Sequence, residues 1–297
     1  MRLLRSLHRP RTLAALAGLG LAVTATACAA EDKAEDKTGD VAESEDECAV
    51  EDLPLLTEGV LTVGTDSPAY EPWFVDNDPT NGKGFESAVA YALAEEMGFA
   101  TSDVMWIKVG FNSLAKPGDK DFDFDINQVS ISPERDEVVD FSEGYYSAAQ
   151  AVIALKGSPA AEATSLEDLK GLKLGAQTGT TSLTAIRETI QPDEDPAVLD
   201  DTNVAKQQLQ NGQLDAIVAD LPTALYISAV EIPDSTLVGQ FQVAAGQTEE
   251  FGLLFQQGNE LLPCVNLALE TLKEDGTLAA IEEEWLSADA VSVPELQ

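Results

Sequence analysis

Residues 173–182 read Lys-Leu-Gly-Ala-Gln-Thr-Gly-Thr-Thr-Ser, and this stretch indicates how the chain folds. Its first part is a short apolar strand, which runs through a Gly/Thr turn into a helix expected to begin at about Ser182. The segment Asp215–Ala219 repeats the arrangement, because this apolar strand ends at Asp220-Leu221-Pro222 with a helical pattern behind it. Alternation of strands and helices predicts an α/β fold with a mainly parallel sheet.

The same alternation extends outward from residue 60. Residues 60–64 and 104–107 are typical of short strands, and Phe85, Val89, Leu93 and Met97 recur at helical spacing before Gly98. Apolar segments near Gln150–Lys156 and Phe251–Phe255 fit neither half and suggest two strands that cross between lobes. Ligands of such sheets bind beyond the carboxyl ends of strands, so the candidate loops follow residues 63, 130, 176 and 219.

An acidic run at Asp119–Asn127 resembles a calcium loop at first sight. The calcium pattern requires a glycine at position 6 and an acid at position 12, and neither is present from either starting aspartate. The alternating phenylalanines instead predict a strand, from Phe122 to Ile131, with one polar face. No metal site is predicted.

The segment Ser130-Ile131-Ser132-Pro133-Glu134-Arg135 follows that strand. Proline suits the first turn of a helix, so Arg135 is expected one turn in. Its planar guanidinium could reach back to the strand ends and grip a carboxylate with two hydrogen bonds. The alternative is an arginine on a solvated helix face.

The turn at 175–181 contains no Gly-Lys-Ser/Thr, so it is not a nucleotide-phosphate loop. Its free backbone N–H groups at a helix N-terminus favour a carboxylate, although Thr180 or Thr181 could merely cap the helix. Asp220, at the end of its strand, could receive an ammonium group, or could cap the helix that Pro222 opens.

Aromatic residues stand in or near these loops. Tyr70 and Trp73 follow the first strand, and Phe111 follows Trp106. Such side chains can clamp a flat or aliphatic part of a ligand, although packing in the core is the commoner role.

Charge and composition exclude several classes of function. The 297 residues are 44% hydrophobic, which is enough for a large core, and they carry a formal charge of −36. Nucleic acid and anionic membrane surfaces are therefore poor partners. The single histidine, His8, lies in a predicted leader, so imidazole catalysis and His-ligated zinc are excluded from the mature chain. No cofactor is predicted.

Residues 1–27 are predicted to be a signal peptide. Four arginines precede a 15-residue apolar stretch, Leu13–Ala27, which is too short to span a bilayer comfortably. Cys28 follows Ala25-Thr26-Ala27 as in a lipobox, which predicts diacylation and an anchor on the outer face of the cell membrane. Ordinary signal-peptidase cleavage and secretion are the alternative.

Residues 28–52 are predicted to be a disordered linker between this anchor and the globular part. Eleven acidic side chains in residues 31–52 repel one another and oppose collapse. If Cys28 carries lipid, Cys48 and Cys264 remain and can form a disulfide. Two buried free thiols are the alternative.

Taken together and in this order, the motifs resemble those of the type II (family 3) extracellular solute-binding proteins of polar amino-acid ABC transporters. The resemblance covers residues 50–287. The segments that carry it are Leu61–Asp66 with Tyr70 and Pro72; Gly84-Phe85-Glu86; Trp106 with Phe111; Ser130–Arg135 with Val139–Ser142 and Tyr145-Tyr146; Leu169–Gly171 with Gln177–Thr181; Asp215-Ala216 with Asp220; and Asp275–Thr277 before Trp285. The most specific of them is the Ser-x-Ser-x-x-Arg block with its Asp-Phe-Ser and Tyr-Tyr tail.

The resemblance implies a periplasmic-binding-protein fold of type II, the Venus-flytrap architecture, with two α/β lobes and two crossing hinge strands. Lobe 1 would comprise residues 53–148 and 247–297, and lobe 2 residues 149–246. By motif, Arg135 would hold the α-carboxylate of an amino acid with the help of the Thr180-Thr181 turn. Asp220 would take the α-ammonium, together with Ser130 and the carbonyl of Gln128.

The resemblance also implies residues for the ligand side chain. Tyr70 and Phe111 would sandwich it, and Asp66, Asn127 and Gln177 would read its identity. The family more often has small residues at 127–128, so the longer side chains here would shrink the pocket or meet a polar ligand tip. Asp66 and the large acidic charge favour a cationic or polar ligand side chain, so a polar or basic amino acid is expected rather than an aliphatic one.

The leading hypothesis is a lipid-anchored receptor that delivers an amino acid to the permease of an ABC importer and acts as a monomer without enzymatic activity. One alternative is a dehydratase of the arogenate or prephenate kind, in which Asp66, Asp220 and Glu86 would serve as acid and base. A second alternative is a ligand-sensing partner of a signalling receptor.

Overall fold

The structure is a computed structural model that describes residues 48–243, 249–286 and 293–297. Within these ranges the strands are β1 Leu61–Thr65, β2 Val104–Lys108, β3 Phe124–Asp125, β4 Val139–Phe141, β5 Tyr146–Ala148, β6 Gln150–Leu155, β7 Leu174–Gln177, β8 Ala197–Leu199, β9 Ala216–Asp220, β10 Ser235–Phe241, β11 Glu249–Phe251 and β12 Leu254–Gln256. The α-helices are α1 Phe85–Glu96, α2 Phe111–Leu114, α3 Pro133–Asp136, α4 Thr181–Ala185, α5 Thr202–Gln210, α6 Leu221–Tyr226, α7 Leu262–Glu274 and α8 Thr277–Leu286.

Lobe 1 is built on a five-stranded sheet in the order β2-β1-β3-β12-β4. Strand β1 is parallel to β2 and β3, whereas β12 is antiparallel to β3 and β4. Helix α1 places Phe85, Val89 and Leu93 in a fully buried core, as their spacing predicts. Helices α7 and α8 pack against α1 and complete this lobe.

The strand predicted from Phe122 to Ile131 is only the two-residue β3, and the aspartates at 123 and 125 are buried, so the prediction of a long strand with a polar face was wrong. Asp123 is 2% exposed and accepts hydrogen bonds from the backbone N–H groups of Leu56 (2.9 Å) and Thr62 (2.6 Å), which offset its burial. Asp125 is fully buried, and neither of its carboxylate oxygens has a hydrogen-bond partner among the described residues. The described part of the chain contains no group of three or more acidic, cysteine or histidine side chains that could hold a metal ion.

Lobe 2 contains the second five-stranded sheet, in the order β10-β6-β9-β7-β8. Strand β7 is parallel to β8 and β9, and β6 is antiparallel to β9 and β10. Each of β7 and β9 leads directly into a helix, α4 and α6 respectively. The two-lobed α/β architecture is therefore confirmed, but both sheets are mixed and not mainly parallel as predicted, because β6 and β12 run antiparallel to their neighbours.

Strands β5 and β11 connect the lobes as an antiparallel pair, with Glu249 opposite Ala148. Two crossing strands were predicted, but the segments suggested for them lie elsewhere. Gln150–Leu155 is an interior strand of lobe 2, and Leu254–Gln256 belongs to the sheet of lobe 1. The physical reason is that residues 151–154 have no exposed surface, and only the interior of a sheet buries both faces of a strand.

The C-terminal residues 293–297 contact lobe 2, whereas the predicted boundaries assign them to lobe 1. Their backbone joins the edge of β10, because the Leu296 amide donates to the Gln240 carbonyl (2.8 Å) and the Gln240 amide donates to the Pro294 carbonyl (2.8 Å). Gly239 allows this approach, since a Cβ there would lie 2.5 Å from Leu296 Cγ. The remaining lobe boundaries stay predictions.

Cys48 and Cys264 form a disulfide with a Cα–Cα distance of 5.5 Å, in agreement with the prediction. The bond joins the start of the described chain to α7, on the lobe 1 side. The signal peptide, Cys28 and residues 29–47 of the acidic linker lie outside the described residues. Residues 48–52 are not part of a disordered linker as predicted, because Cys48 is held by the disulfide and Val50–Asp52 form a 3-10 turn. Among the residues that are described, no helix is both long and apolar enough to cross a membrane.

Candidate ligand-binding cleft

A cleft with a cavity of about 60 Å³ lies between the lobes, where the carboxyl ends of strands from both sheets converge. Its lining residues are Asp66, Tyr70, Phe111, Asn127, Gln128, Ser130, Gln177, Thr180, Thr181, Ser182, Thr202, Val218, Ala219, Asp220 and Thr223. Ten of the eleven residues predicted to bind ligand are in this set, and the exception is Arg135. The sequence brings them together because Asp66 follows β1, Gln177 ends β7 and Asp220 ends β9.

Arg135 lies beside the cleft and bridges the lobes. Its guanidinium donates to the Ser130 carbonyl and, at 2.9 Å, to the Gly179 carbonyl, and it stands 5.8 Å from the centre of the Phe111 ring. Ser132 caps the short helix α3 by accepting from the Arg135 amide (3.3 Å), which aims the side chain back towards the strand ends. The arginine is therefore held by both lobes and only partly exposed, in contrast to a side chain on a solvated helix face.

Burial lowers the pKa of Arg135, while the carboxylates of Glu249, Asp220 and Glu134 act in the opposite direction. The guanidinium thus stands in a field of acidic groups. Its hydrogen bonds to two carbonyls leave it at the edge of the cavity, next to the hydroxyl groups of Ser130 and Thr181.

Asp220 projects from the end of β9 and accepts a hydrogen bond from Gln150 Nε2 at 2.7 Å. It makes no side-chain cap on α6, so the capping alternative is not what the structure contains. Burial, and next the charge of Glu249, raise the pKa of Asp220 well above the usual range of an aspartate. An ammonium group placed here would favour the ionised carboxylate.

Glu249 and Gln150 complete the cleft and were not predicted. Ser130 Oγ and Thr181 Oγ1 both donate to Glu249 Oε1, and Gln150 Nε2 donates to Oε2 at 2.9 Å. Gln150 is fully buried and is itself fixed by Ser182 Oγ (2.6 Å). Gln150 could have been found from the sequence, because it is a polar residue at the start of an otherwise apolar strand. Glu249 could not, because no local pattern distinguishes it from the neighbouring Glu250.

Gln128 lies on the cavity wall with a left-handed backbone (φ 47°), and its side chain turns towards Glu86. Glu86 also accepts from the Gln128 amide (2.6 Å) and from Tyr145 Oη. Burial raises the pKa of Glu86 to about 7, against the lowering effect of these hydrogen bonds. Gln128 is thus tied to the interior of lobe 1 and does not extend across the cavity.

Tyr70 and Phe111 both face the cavity, and each already contacts a cation of the protein. Lys206 Nζ stands 5.3 Å from the Tyr70 ring, and Arg135 stands over Phe111. Burial raises the Tyr70 pKa, and a hydrogen bond with the backbone of Asn203 on lobe 2 acts in the opposite direction. Trp73, in contrast, is fully buried in the core and donates from Nε1 to Thr223 Oγ1 across the lobes (2.8 Å).

Polar groups remain at the far end of the cavity. Asp66 accepts from the backbone amides of Ser67 (2.6 Å) and Phe111 (3.3 Å), and Gln177 Oε1 accepts from Thr202 Oγ1 (3.0 Å). The buried Asn127 Nδ2 has no partner within the described part of the chain. Thr180 Oγ1 accepts a hydrogen bond from the backbone amide of Leu183 (3.2 Å) and so caps α4, which is the alternative role that the sequence left open for Thr180.

Two α/β lobes, a pair of crossing strands and a polar cleft with opposite charges define a ligand-binding protein of the Venus-flytrap class. The profile of the bacterial extracellular solute-binding proteins, family 3, matches residues 61–288. The chain belongs to that family.

Individual relatives agree with this assignment. The L-cystine-binding protein TcyJ of Escherichia coli (strain K12) is 33% identical over 234 residues, which cover 78% of this chain and 84% of that protein. A solved structure of an ancestral arginine-binding protein bound to glutamine is 32% identical, with a TM-score of 0.65 over 77% of this chain and 98% of its own. The ancestral amino acid-binding protein AncCDT-1, a precursor of cyclohexadienyl dehydratase, is 31% identical, with a TM-score of 0.62 over 77% of this chain and 96% of its own.

Proposed function

We propose that this protein captures one amino acid between its lobes and delivers it to the permease of an ABC importer, and that it is not an enzyme. The observation that carries the proposal is the placement of the Arg135 guanidinium of lobe 1 beside the cleft that the Asp220 carboxylate of lobe 2 lines, close enough for the two charges to act on each other. Opposite charges on opposite lobes suit a zwitterion, because only closure brings both to the same molecule. Binding would therefore select the closed arrangement.

The charges around the cleft favour a polar or cationic side chain. Asp66, Asp220 and Glu249 contribute three carboxylates against the single guanidinium of Arg135. Asn127 Nδ2, which has no hydrogen-bond partner among the described residues, offers a hydrogen bond that an aliphatic ligand would leave unmade. Relatives that bind cystine and arginine are consistent with this preference.

Isothermal titration calorimetry of the globular part with each common amino acid and L-cystine tests the proposal. One polar or cationic amino acid should bind with micromolar or better affinity, since three or four charged hydrogen bonds of roughly 1.5–3 kcal/mol each reach about −8 kcal/mol. Arg135→Ala should reduce that affinity at least about a hundredfold, whereas Arg187→Ala, an arginine in the segment that follows α4, should not. Absence of heat with every amino acid would reject the proposal.

The anchor is the second part of the proposal. Lipid on Cys28 would anchor the protein to the outer face of the cell membrane. The acidic linker would connect this anchor to the globular part, which would act as a monomer near its permease. Mass spectrometry of the membrane fraction should find a diacylated Cys28, and Cys28→Ser should release the protein into the medium or periplasm. A membrane-bound Cys28→Ser variant would contradict this.

A dehydratase is the second candidate, because a dehydratase precursor shares the fold and Glu86 has a pKa of about 7. Glu86 is fully buried and bonded to Gln128 and Tyr145, which leaves it without access to a substrate. Incubation with prephenate or arogenate decides between the two candidates, and we expect no turnover.

A further inference from the structure

The carboxylate of Glu249 sits among groups that suit a carboxylate of the ligand. Its Oε1 accepts from the hydroxyls of Ser130 on lobe 1 and Thr181 on lobe 2, and these two oxygens are 3.2 Å apart. Its Oε2 accepts from Gln150 Nε2 at 2.9 Å. Both oxygens of one anion are thus satisfied by donors from the two lobes.

The hinge places Glu249 at this point. Glu249 begins β11, which pairs with β5, and the backbone beside it is tied to the 129–131 segment by Ile131 N to the Glu250 carbonyl (2.9 Å). Alternation along the strand turns Glu249 and Phe251 inward, while Glu250 is exposed. The position of the carboxylate is therefore fixed by backbone pairing and not by chance rotation of a surface side chain.

Hydrogen-bond donors, together with the guanidinium of Arg135, make this niche suitable for one anion although other carboxylates are near. Glu249 is the carboxylate with the strongest effect on the Arg135 guanidinium, which donates to the carbonyl of Ser130, a residue whose hydroxyl holds Glu249. Arg135, Ser130, Thr181 and Glu249 together line a second cavity of about 550 Å³ that adjoins the first. An incoming α-carboxylate aimed at Arg135 and the Thr181 turn must enter the space beside these same hydroxyls.

We propose that Glu249 is a built-in competitor of the ligand's α-carboxylate, and that it sets the affinity of the cleft. This inference rests on the proposed function. It means that a bound amino acid displaces Glu249 from Ser130 and Thr181. The apparent dissociation constant is then the intrinsic one divided by the fraction of molecules in which Glu249 has left. If one molecule in about ten has Glu249 displaced, affinity is weakened roughly tenfold.

The competitor also holds the lobes together through its own carboxylate. Ser130 and Thr181 belong to different lobes, so Glu249 joins them in the same way as a ligand carboxylate would. The protein without added amino acid should accordingly spend part of its time closed. Removal of Glu249 should open it.

The test uses Glu249→Ala, which removes the anion, and Glu249→Gln, which keeps the shape but not the charge. Glu250→Gln is the matched control, because it removes the same charge one residue away from an exposed side chain. Calorimetry with L-arginine, L-cystine, L-histidine and L-glutamine measures affinity, and small-angle X-ray scattering without added amino acid measures the radius of gyration.

We expect Glu249→Ala to bind its amino acid roughly threefold to tenfold more tightly than the original protein, with Glu249→Gln between the two and Glu250→Gln unchanged. The radius of gyration should increase in Glu249→Ala and stay constant in Glu250→Gln. Weaker or equal affinity in both Glu249 variants would overturn the proposal, since it would make Glu249 a contact for the ligand's cationic groups or a bystander. If none of the four amino acids binds any variant, the proposed function fails, and an unchanged radius of gyration in Glu249→Ala would then overturn the role of Glu249 separately.

Discussion

Replacement of Asp125 by valine should stabilise the protein at neutral pH. Asp125 lies in β3 with no exposed surface, both of its oxygens lack a hydrogen-bond partner among the described residues, and Gly64 and Val109 stand beside it. Lys120 Nζ donates to the Leu114 carbonyl at 2.8 Å, and its charge lowers the pKa of Asp125 less than burial raises it. Valine has one heavy atom fewer than aspartate and suits a strand, so it fits this site without overpacking.

The size of the effect follows from the burial of an unpaired group. An unsatisfied buried polar group costs roughly 1–3 kcal/mol, and removal of that cost should raise Tm by about 2–10 °C for a domain of this size. Burial, and then the charges of Glu86 and Asp66, raise the pKa of Asp125 well above its usual value. The folded state therefore holds this proton where the unfolded chain releases it, and stability falls as pH rises above about 4.

Guanidinium unfolding of both proteins between pH 5 and pH 8 measures the prediction. The original protein should lose up to roughly 1.4 kcal/mol per pH unit from Asp125 until the folded-state pKa is passed, and Asp125→Val should lose this component. Glu86, whose pKa is raised to about 7, also makes the free energy of unfolding fall with pH. This contribution should persist in the variant and acts as an internal reference. An Asp125→Val protein that is less stable at pH 7, or that keeps the full slope, would refute the reasoning.

Three further outcomes follow from the structure. Amino-acid affinity should rise from pH 5.5 to pH 7.5, because the raised pKa of Asp220 keeps it neutral at low pH, and Asp220→Asn should bind weakly at every pH in calorimetry. The double variant Cys48→Ser/Cys264→Ser should lose up to about 5 kcal/mol of unfolding free energy in guanidinium titrations, since the disulfide closes a loop with a sequence separation of 216; a loss below about 1 kcal/mol would contradict the loop-entropy argument. Trp73→Phe removes the 2.8 Å hydrogen bond to Thr223 between the lobes, and should lower ligand affinity by roughly threefold to tenfold in calorimetry; it should also lower Tm, because the smaller ring leaves a cavity where the fully buried indole stood.

The positions of most cleft residues could be predicted because they depend on local rules. A residue that ends a parallel strand lies at the carboxyl edge of its sheet, so the strand pattern alone places Asp66, Gln177 and Asp220 at one such edge or the other. The cap at Ser132 and the proline after it likewise fix Arg135 one turn into α3.

Residues whose role depends on long-range pairing could not be predicted. Glu249 reaches the cleft only because β11 pairs with β5, about one hundred residues earlier in the chain, and its neighbour Glu250 has the same side chain and points outward. Asp125 alternates with phenylalanines as a solvated residue would, yet the sheet is covered on both sides. Periodicity identifies which residues share a face, but not what covers that face.

The contacts that close the cleft are polar, few and contributed by both lobes. Among the described residues they include the hydrogen bonds Trp73 Nε1 to Thr223 Oγ1 (2.8 Å), Asn112 Nδ2 to the Asp200 carbonyl (3.2 Å) and Arg135 Nη2 to the Gly179 carbonyl (2.9 Å), and the bridge in which Ser130 and Thr181 both donate to Glu249 Oε1. A net value of roughly 1 kcal/mol for each leaves closure finely balanced. A ligand can shift such a balance only through its differential affinity for the closed arrangement, so the groups that already pair across the cleft decide how much of its binding energy appears as affinity.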